Sequence, residues 1–306
     1  IAKLTITGTE TGNLKPENQV GKPERLVSGF DFAQGITADS KGNVYFCETR
    51  KKRIYQWSAE TQSAKILTDI PLQPFVLATD SKDNLLVVCR YDPQPGFQVN
   101  GKQETVKRLP DDNPAYSSYG NGGWAALCFS IDPKNPEATF APMKRVANSD
   151  IKNLQKTFYP ASRWHYTFDK AAEYFPDSAF VAPDGVTFIQ ETYDIGRCAQ
   201  LNPAIPGSDI FASDEISKRT VRMNADKNGK LSGLKEVLPR GETSTVIDKD
   251  GNLYLADGQI FVYDKNLVEI NRINLPERPI SMTFGGKDEN TLFVTTLTSL
   301  YGVRVK

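Results

Sequence analysis

The only histidine of the chain, His165, lies between two aromatic residues and two positions after Arg163. Histidine is the side chain best suited to give or take a proton near neutral pH. An imidazole beside an arginine and a tyrosine could abstract a proton next to a carboxylate, which is the chemistry of a lyase that acts on an acidic carbohydrate. The alternative is structural: Trp164 and Tyr166 fix a loop in place, and His165 has no chemical role.

A second set of charged and aromatic residues falls where predicted strands end or loops begin. Arg90 and Tyr91 end one strand, Glu191 ends another, and Arg197 lies in the loop after it. Together with Arg163, these arginines could form a cationic rim for an acidic sugar, because a guanidinium group binds a carboxylate through two hydrogen bonds. Acidic side chains at strand ends are also commonly solvated, which is the structural alternative for Glu191.

The composition excludes several classes of function. Basic and acidic residues number 37 each among 306 residues, so the net charge is zero. A nucleic-acid partner needs a basic surface that displaces phosphate counterions, and we therefore predict none. No apolar run reaches about 18 residues, so we predict no membrane span. The partner that we expect is a small molecule or a carbohydrate.

The cysteines and the first residues bear on the compartment. Four cysteines are too scattered for a disulfide framework or a zinc site. Cys47 and Cys89 end equivalent strands of neighbouring repeats, so they are either buried thiols or a disulfide formed in an oxidising compartment. The first residues do not resemble a signal peptide. We interpret the chain as a mature form or as a part of a longer protein, periplasmic or secreted.

A short strand–turn–strand unit is repeated along the chain, and its turn is rich in Asp, Asn and Gly. Clear copies contain Asp39–Asn43, Asp80–Asn84 and Asp248–Asn252, each between runs of β-branched and aromatic residues. Asp and Asn favour such turns through local hydrogen bonds, and Gly supplies a positive φ. Repeated antiparallel units a few tens of residues apart are typical of a β-propeller, in which each blade buries its faces against its neighbours.

We therefore predict an all-β fold, a six-bladed β-propeller that occupies residues 1–306 as a single domain. Five blades are legible in the sequence. The sixth must be assembled from long inserted loops, which are Tyr91–Gly123, Asn148–Pro176 and Tyr193–Ser208. Loops of this length inside a compact domain are usually functional.

Two structural expectations follow from the alternation of side chains. Ile1–Thr7 reads as a strand and is predicted to pair beside Ser299–Val305, closing the ring and removing exposed sheet edges. Phe46 and Trp57 are predicted to be buried between neighbouring blades, because blades stack face to face and bury both of their surfaces.

Several segments resemble the SMP-30/gluconolactonase-like family of six-bladed propellers, namely Phe32–Phe46, Asn224–Ser232, and Pro279–Gly286 with Thr291–Thr296. The resemblance is weakest from Tyr91 to Pro176. It implies a hydrolase that acts on a lactone or a sugar-derived ester. It also implies one divalent metal, usually calcium, which polarises the carbonyl and lowers the pKa of a water molecule.

In this family the metal ligands lead the first strand of each blade, and the corresponding positions differ here. Gln34 stands where the family has Glu, Asp177 where it has Asn, and Thr243, preceded by Glu242, where it has Asp. The counterpart in the second blade is Phe75, which cannot bind a metal. Calcium takes six to eight oxygen ligands. The resemblance thus implies an altered, weak metal site with Asp177 as ligand and Gln34 and Glu242 as helpers.

Three functions remain open at this point. The first is a gluconolactonase-like hydrolase with an altered metal site. The second is a lyase or hydrolase for an acidic carbohydrate, and the third is a propeller without catalytic activity that binds a carbohydrate or a protein. We expect the insertions Tyr91–Gly123 and Asn148–Pro176 to fold over one face of the propeller and to bring His165 and Arg163 close to Asp177.

Overall fold

The computed structural model describes residues 21–69, 72–79, 83–91, 97–99, 102–104, 123–130, 138–142, 144–147, 159–161, 178–181, 187–191, 209–225 and 231–306. The regular elements of these residues are β-strands, and none of the described residues form a helix long and apolar enough to cross a membrane. In chain order the strands are β1 (Pro23–Ser28), β2 (Ala33–Ala38), β3 (Val44–Glu48), β4 (Arg53–Ser58), β5 (Ser63–Asp69), β6 (Leu72–Thr79), β7 (Asn84–Tyr91), β8 (Phe97–Val99), β9 (Lys102–Glu104), β10 (Gly123–Ser130), β11 (Ala138–Pro142), β12 (Lys144–Ala147), β13 (Tyr159–Ala161), β14 (Ser178–Val181), β15 (Thr187–Glu191), β16 (Asp209–Asp214), β17 (Arg219–Ala225), β18 (Leu231–Leu238), β19 (Ser244–Ile247), β20 (Leu253–Asp257), β21 (Gln259–Tyr263), β22 (Glu269–Ile273), β23 (Ser281–Gly285), β24 (Thr291–Thr295) and β25 (Ser299–Arg304).

These strands form sheets of three or four members, with one separate hairpin, β8–β9. The strand orders are β2-β3-β4-β5, β6-β7-β10-β11, β13-β14-β15-β12, β16-β17-β18, β19-β20-β21-β22 and β23-β24-β25-β1. Neighbours are antiparallel except β12 and β15, which run parallel.

Five of the sheets contact one another through one edge strand each. β6 contacts β2, β2 contacts β23, β23 contacts β19, and β19 contacts β16. Sheets arranged in this way form the blades of a propeller-type fold. The prediction of an all-β architecture built from repeated antiparallel units is confirmed.

The repeated Asp turn is stabilised by one carboxylate that binds its own loop. One oxygen of Asp39 accepts hydrogen bonds from two backbone N–H groups of the turn, that of Asn43 among them at 2.8 Å. The other accepts from the Asn43 side chain and from the Tyr45 hydroxyl, both at 2.8 Å. Asp248 makes the same set of contacts with Asn252 and the following tyrosine. The motif therefore defines the turn locally, as the sequence indicates.

Aromatic side chains fill the space between the β2–β5 sheet and the β23–β25 sheet. Phe46 and Trp57 are both buried, as predicted. The ring of Trp57 lies 4.6 Å from that of Phe293 in the neighbouring sheet, and Phe46 meets Phe30 edge to face at 5.1 Å. Such contacts between sheets give each blade the apolar partner that it lacks alone.

The strand beside β25 is β1, and this corrects the predicted pairing of Ile1–Thr7 with that strand. The pairing runs from Pro23 opposite Val303 to Ser28 opposite Ser299. The other edge of β25 is taken by β24, and Ile1–Thr7 lies outside the described residues. A proline fits at Pro23 because the first position of an outer strand needs no N–H donor on its free side.

Candidate functional site

The ends at which the inner strands begin are joined by side-chain hydroxyl groups. The Ser281 hydroxyl accepts a hydrogen bond from the backbone N–H of Gly35 at 3.2 Å, which connects β23 to β2. The Ser244 hydroxyl accepts from the backbone N–H of Met282 at 3.1 Å, which connects β19 to β23. The beginnings of these three strands therefore meet at one end of the sheets, here called the strand-start end.

Gln34 presents a buried oxygen without a described partner at this end. Its side chain is 1% exposed. The amide nitrogen donates to the Thr49 hydroxyl, which in turn donates to the carbonyl oxygen of Pro74 at 2.7 Å. The amide oxygen has no hydrogen-bond partner among the described residues. A buried acceptor of this kind is costly unless a ligand, an ion or a water molecule satisfies it.

The positions other than Gln34 at the starts of the inner strands carry weak ligands or none. Thr243 is buried, and its hydroxyl donates to the carbonyl oxygen of Pro279 at 3.2 Å. Phe75 is half-buried and apolar. Ser281 already uses its hydroxyl oxygen as an acceptor.

Glu242 is buried at the strand-start end and holds two cations. One of its oxygens contacts both the Lys218 ammonium and a terminal nitrogen of Arg278. The other accepts from Nε of Arg278 at 3.0 Å and from the backbone N–H of Gly258 at 3.2 Å. Burial would raise the pKa of this carboxyl, but the hydrogen bonds and charges of Lys218 and Arg278 lower it below its usual value. Glu242 is therefore ionised at neutral pH.

Glu277 anchors the loop that leads into β23. Its carboxylate accepts hydrogen bonds from four hydroxyl groups of the β24–β25 turn and of β25, those of Thr296, Thr298, Ser299 and Tyr301. Burial raises the pKa of Glu277, but these donors outweigh it and lower the pKa to about 2. Because Arg278 is the next residue, the anchored loop also fixes the start of the arginine side chain that reaches Glu242.

The described oxygens do not make up a calcium site. Calcium requires six to eight oxygen ligands, usually with several carboxylates. In the described part of the chain, no group of three or more His, Cys, Asp or Glu side chains could hold a metal ion. Gln34 offers one neutral oxygen, and a metal at Glu242 would have to displace two cations. The remaining ligand named from the sequence, Asp177, lies outside the described residues.

Three further site residues named from the sequence are placed through their backbones only. Tyr91, at the end of β7, lies opposite Leu72 at the start of β6, and Arg90 precedes it. The Tyr91–Gly123 insertion therefore leaves its sheet at the strand-start end. Glu191, at the end of β15, lies opposite the first residue of β14, which directly follows Asp177 in the chain.

Three more site residues named from the sequence lie outside the described residues. They are His165 and Arg163, named as catalytic, and Arg197, named as part of the cationic rim. Their approach to one another stays a prediction. Conversely, sequence reasoning missed Lys218, Arg278 and Glu277. Nothing in the local spacing of these three residues indicates that they meet across sheets.

Part of the chain matches a known protein family. Residues 205–298 match the family described as "SMP-30/Gluconolactonase/LRE-like region". The resemblance inferred from segments such as Asn224–Ser232 and Pro279–Gly286 is thereby confirmed. The matched residues include β16 to β24, and with them Glu242, Lys218, Arg278 and Glu277. A comparison with curated protein sequences gave no match.

Three solved structures with names related to this family share the fold over most of the chain. A gluconolactonase from Xanthomonas campestris is 13% identical, with a TM-score of 0.53 over 91% of this chain and 88% of that one. A luciferin-regenerating enzyme is 12% identical, with a TM-score of 0.54 over 92% and 94%. Regucalcin from Agrobacterium tumefaciens, described as a calcium-binding protein, is 13% identical, with a TM-score of 0.50 over 90% and 92%. At such identities the likeness establishes the fold alone.

Proposed function

We propose that this protein is a gluconolactonase-like hydrolase that acts on a lactone or a sugar-derived ester at the strand-start end. The match to the SMP-30/gluconolactonase/LRE-like family and the shared fold support this class of reaction. The observation that carries it at the level of residues is the buried amide oxygen of Gln34, which has no described partner. It stands at the position where the family places a functional oxygen ligand.

Hydrolysis of a lactone needs two kinds of group near the carbonyl. An acceptor must hold the attacking water molecule, and donors must stabilise the negative charge that develops on the carbonyl oxygen. The oxygen of Gln34 is an acceptor that can hold a water molecule or a substrate hydroxyl. Its amide nitrogen is fixed by Thr49, so the side chain is held in one orientation.

The divalent metal that the resemblance implies is a separate part of the proposal. Because the described donors do not form a calcium site, metal binding at this end depends on Asp177. We expect such binding to be weak, since Phe75 contributes no ligand and Glu242 is already neutralised. Neither the carbohydrate lyase nor the purely binding function is favoured by a contact among the described residues.

The architecture that we propose for this function is a closed ring of six blades formed by residues 1–306 as one domain. The side-by-side contacts of β6, β2, β23, β19 and β16 support it, because they join five sheets through their edge strands in an unbroken series. The β12–β15 sheet is the blade that would complete the ring.

A panel of aldonolactones and sugar esters, monitored by acid release, tests the reaction. We expect the wild-type chain to hydrolyse at least one of them, and Gln34→Leu to lower kcat/KM about tenfold or more. Gln56→Leu is the matched control, because Gln56 also donates one side-chain hydrogen bond, to Tyr45 at 2.9 Å, but lies on β4, the third strand of its sheet. Absence of hydrolysis of every ester, with and without added calcium, would contradict the proposed function.

A further inference from the structure

Lys218 and Arg278 come from different sheets and converge on one carboxylate. Lys218 lies in the β16–β17 turn, whereas Arg278 lies in the loop before β23. Both contact the same oxygen of Glu242, whose side chain is 3% exposed. The two cations are 53% and 59% exposed. A buried anion thus holds two cationic groups at the strand-start end, where solvent reaches them.

Each of these cations keeps hydrogen-bond donors that Glu242 does not use. The Lys218 ammonium has three N–H donors, and its one described acceptor is Glu242. Arg278 uses Nε and one terminal nitrogen on Glu242, which leaves the donors of the other terminal nitrogen. Two positive charges face one negative charge within this cluster. The cluster, here called the cationic pair, is therefore suited to hold an anionic group.

We propose that the cationic pair, Lys218 and Arg278, is the subsite that binds the carboxylate of a hydroxy acid, without a divalent metal. The proposal rests on the proposed function, because lactone hydrolysis produces a group of this kind. Water adds to the acyl carbon, the ring C–O bond breaks, and the ring oxygen takes up a proton to become a hydroxyl. The new carboxylic acid then releases its proton at neutral pH. The product is a hydroxy-carboxylate, whose charge the pair matches.

The same pair would also interact with the carbonyl oxygen during the reaction. That oxygen gains negative charge as water adds, and fixed N–H donors stabilise such a charge. Arg278 suits this task because the planar guanidinium group, held by Glu242, fixes the direction of the donors on its other terminal nitrogen. The anchoring by Glu242 and by Glu277 keeps the arginine in place before the ligand arrives. In this chain the pair occupies the neighbourhood of Thr243, where the resemblance implies a metal ligand.

Calorimetric titration of the full chain with D-gluconate in the presence of a chelator tests this subsite. We expect gluconate to bind without metal, and Arg278→Gln and Lys218→Gln each to weaken binding about tenfold or more. Arg272→Gln and Lys249→Gln are matched controls, because both cations are similarly exposed, at 58% and 60%, and pair with surface carboxylates. They should bind gluconate as the wild type does. Melting temperatures of all variants show whether each one is folded.

The outcomes separate this inference from the proposed function. It is overturned if gluconate does not bind in chelator, if binding requires calcium, or if both variants of the pair bind as the wild type does. Gluconate binding that depends on the pair, combined with failure to hydrolyse any ester in the panel, would leave the subsite standing and reject the hydrolase.

Discussion

Two turns of this protein have the same five-residue motif but different surroundings. Asp39–Asn43 and Asp248–Asn252 share the carboxylate that binds its own loop and a glycine with positive φ, +79° at Gly42 and +84° at Gly251. Gly42 also touches Gly286 of the neighbouring sheet, whose N–H donates to its carbonyl oxygen at 2.9 Å. Nothing lies within 4 Å of a Cβ placed on Gly251.

The difference shows that the motif determines the turn, whereas the neighbouring sheet determines how much a change in the turn costs. The first turn is locked between sheets, and Asp39 is buried; the second stands at the surface, and Asp248 is half-buried. Substitutions made in parallel in both turns therefore separate the local contribution to stability from the contribution of the contact between sheets.

The largest difference is expected for the two glycines. Gly251→Ala should lower the free energy of unfolding by about 1–2 kcal/mol, because alanine is strained in left-handed backbone. Gly42→Ala carries the same strain, and its Cβ would also overlap the carbonyl group of Gly286, which adds about 1–3 kcal/mol. Chemical denaturation of both variants measures the difference. Equal losses would show that the contact between the sheets is not held in solution.

The next effect concerns Glu277, a carboxylate with no local motif, whose partners lie 19 to 24 positions further along the chain. Glu277→Gln should cost about 1–3 kcal/mol at pH 7, because four hydroxyl donors lose a charged acceptor. The folded pKa of about 2 lies below the ordinary value of 4.5. The stabilisation is therefore complete above about pH 4.5 and is lost as the pH falls toward 2. Denaturation at several pH values should show that the free energy of unfolding falls less in acid for the variant than for the wild type. An identical pH profile would contradict this assignment.

A smaller contrast is expected for the aspartates that form the turns. Asp39→Ala should cost about 2 kcal/mol and Asp248→Ala about 1 kcal/mol, because both lose the turn but Asp39 is more deeply buried. The Tyr45 hydroxyl lies 2.8 Å from Asp39, whereas the Tyr254 hydroxyl lies 3.4 Å from Asp248. Thermal unfolding of the two variants under the same conditions provides the comparison. A greater loss for Asp248→Ala would reverse our ranking of the turns.

The smallest effects are expected for the tyrosines that face these carboxylates. Burial and then the neighbouring aspartate raise the pKa of both Tyr45 and Tyr254, so both hydroxyls remain protonated donors at neutral pH. Tyr45→Phe should cost about 1 kcal/mol, because Gln56 also loses its acceptor, and Tyr254→Phe should cost less. Urea midpoints resolve a difference of this size. A lower cost for Tyr45→Phe than for Tyr254→Phe would contradict this ranking of the two hydroxyl groups.

Features that depend on nearby residues were predictable from the sequence. The Asp turn closes on residues two to six positions away, so its composition alone indicates it. The burial of Phe46 and Trp57 follows from the alternation of side chains in strands that are covered on both faces. These two kinds of local pattern sufficed for the all-β architecture and for the family resemblance.

Features that join distant residues were not predictable in the same way. The pairing of β1 with β25, the parallel pairing of β12 with β15, and the hairpin β8–β9 inside an inserted loop have no strong periodic signal. The Glu242 cluster joins residues 24 and 36 positions apart, which only the stacking of sheets brings together. The prediction found Glu242 from its position before an inner strand but could not identify its cations.

The pairing of β1 with β25 has a consequence for synthesis on the ribosome. The Pro23–Ser28 strand emerges early, but its partner Ser299–Arg304 is made only after nearly all of the intervening chain. Until then the backbone donors and acceptors of Pro23–Ser28 that face β25 stay unpaired. Contacts between residues so far apart in sequence form slowly, and exposed strands in that interval favour association between chains. We therefore expect association between chains to compete with folding until β1 and β25 have paired.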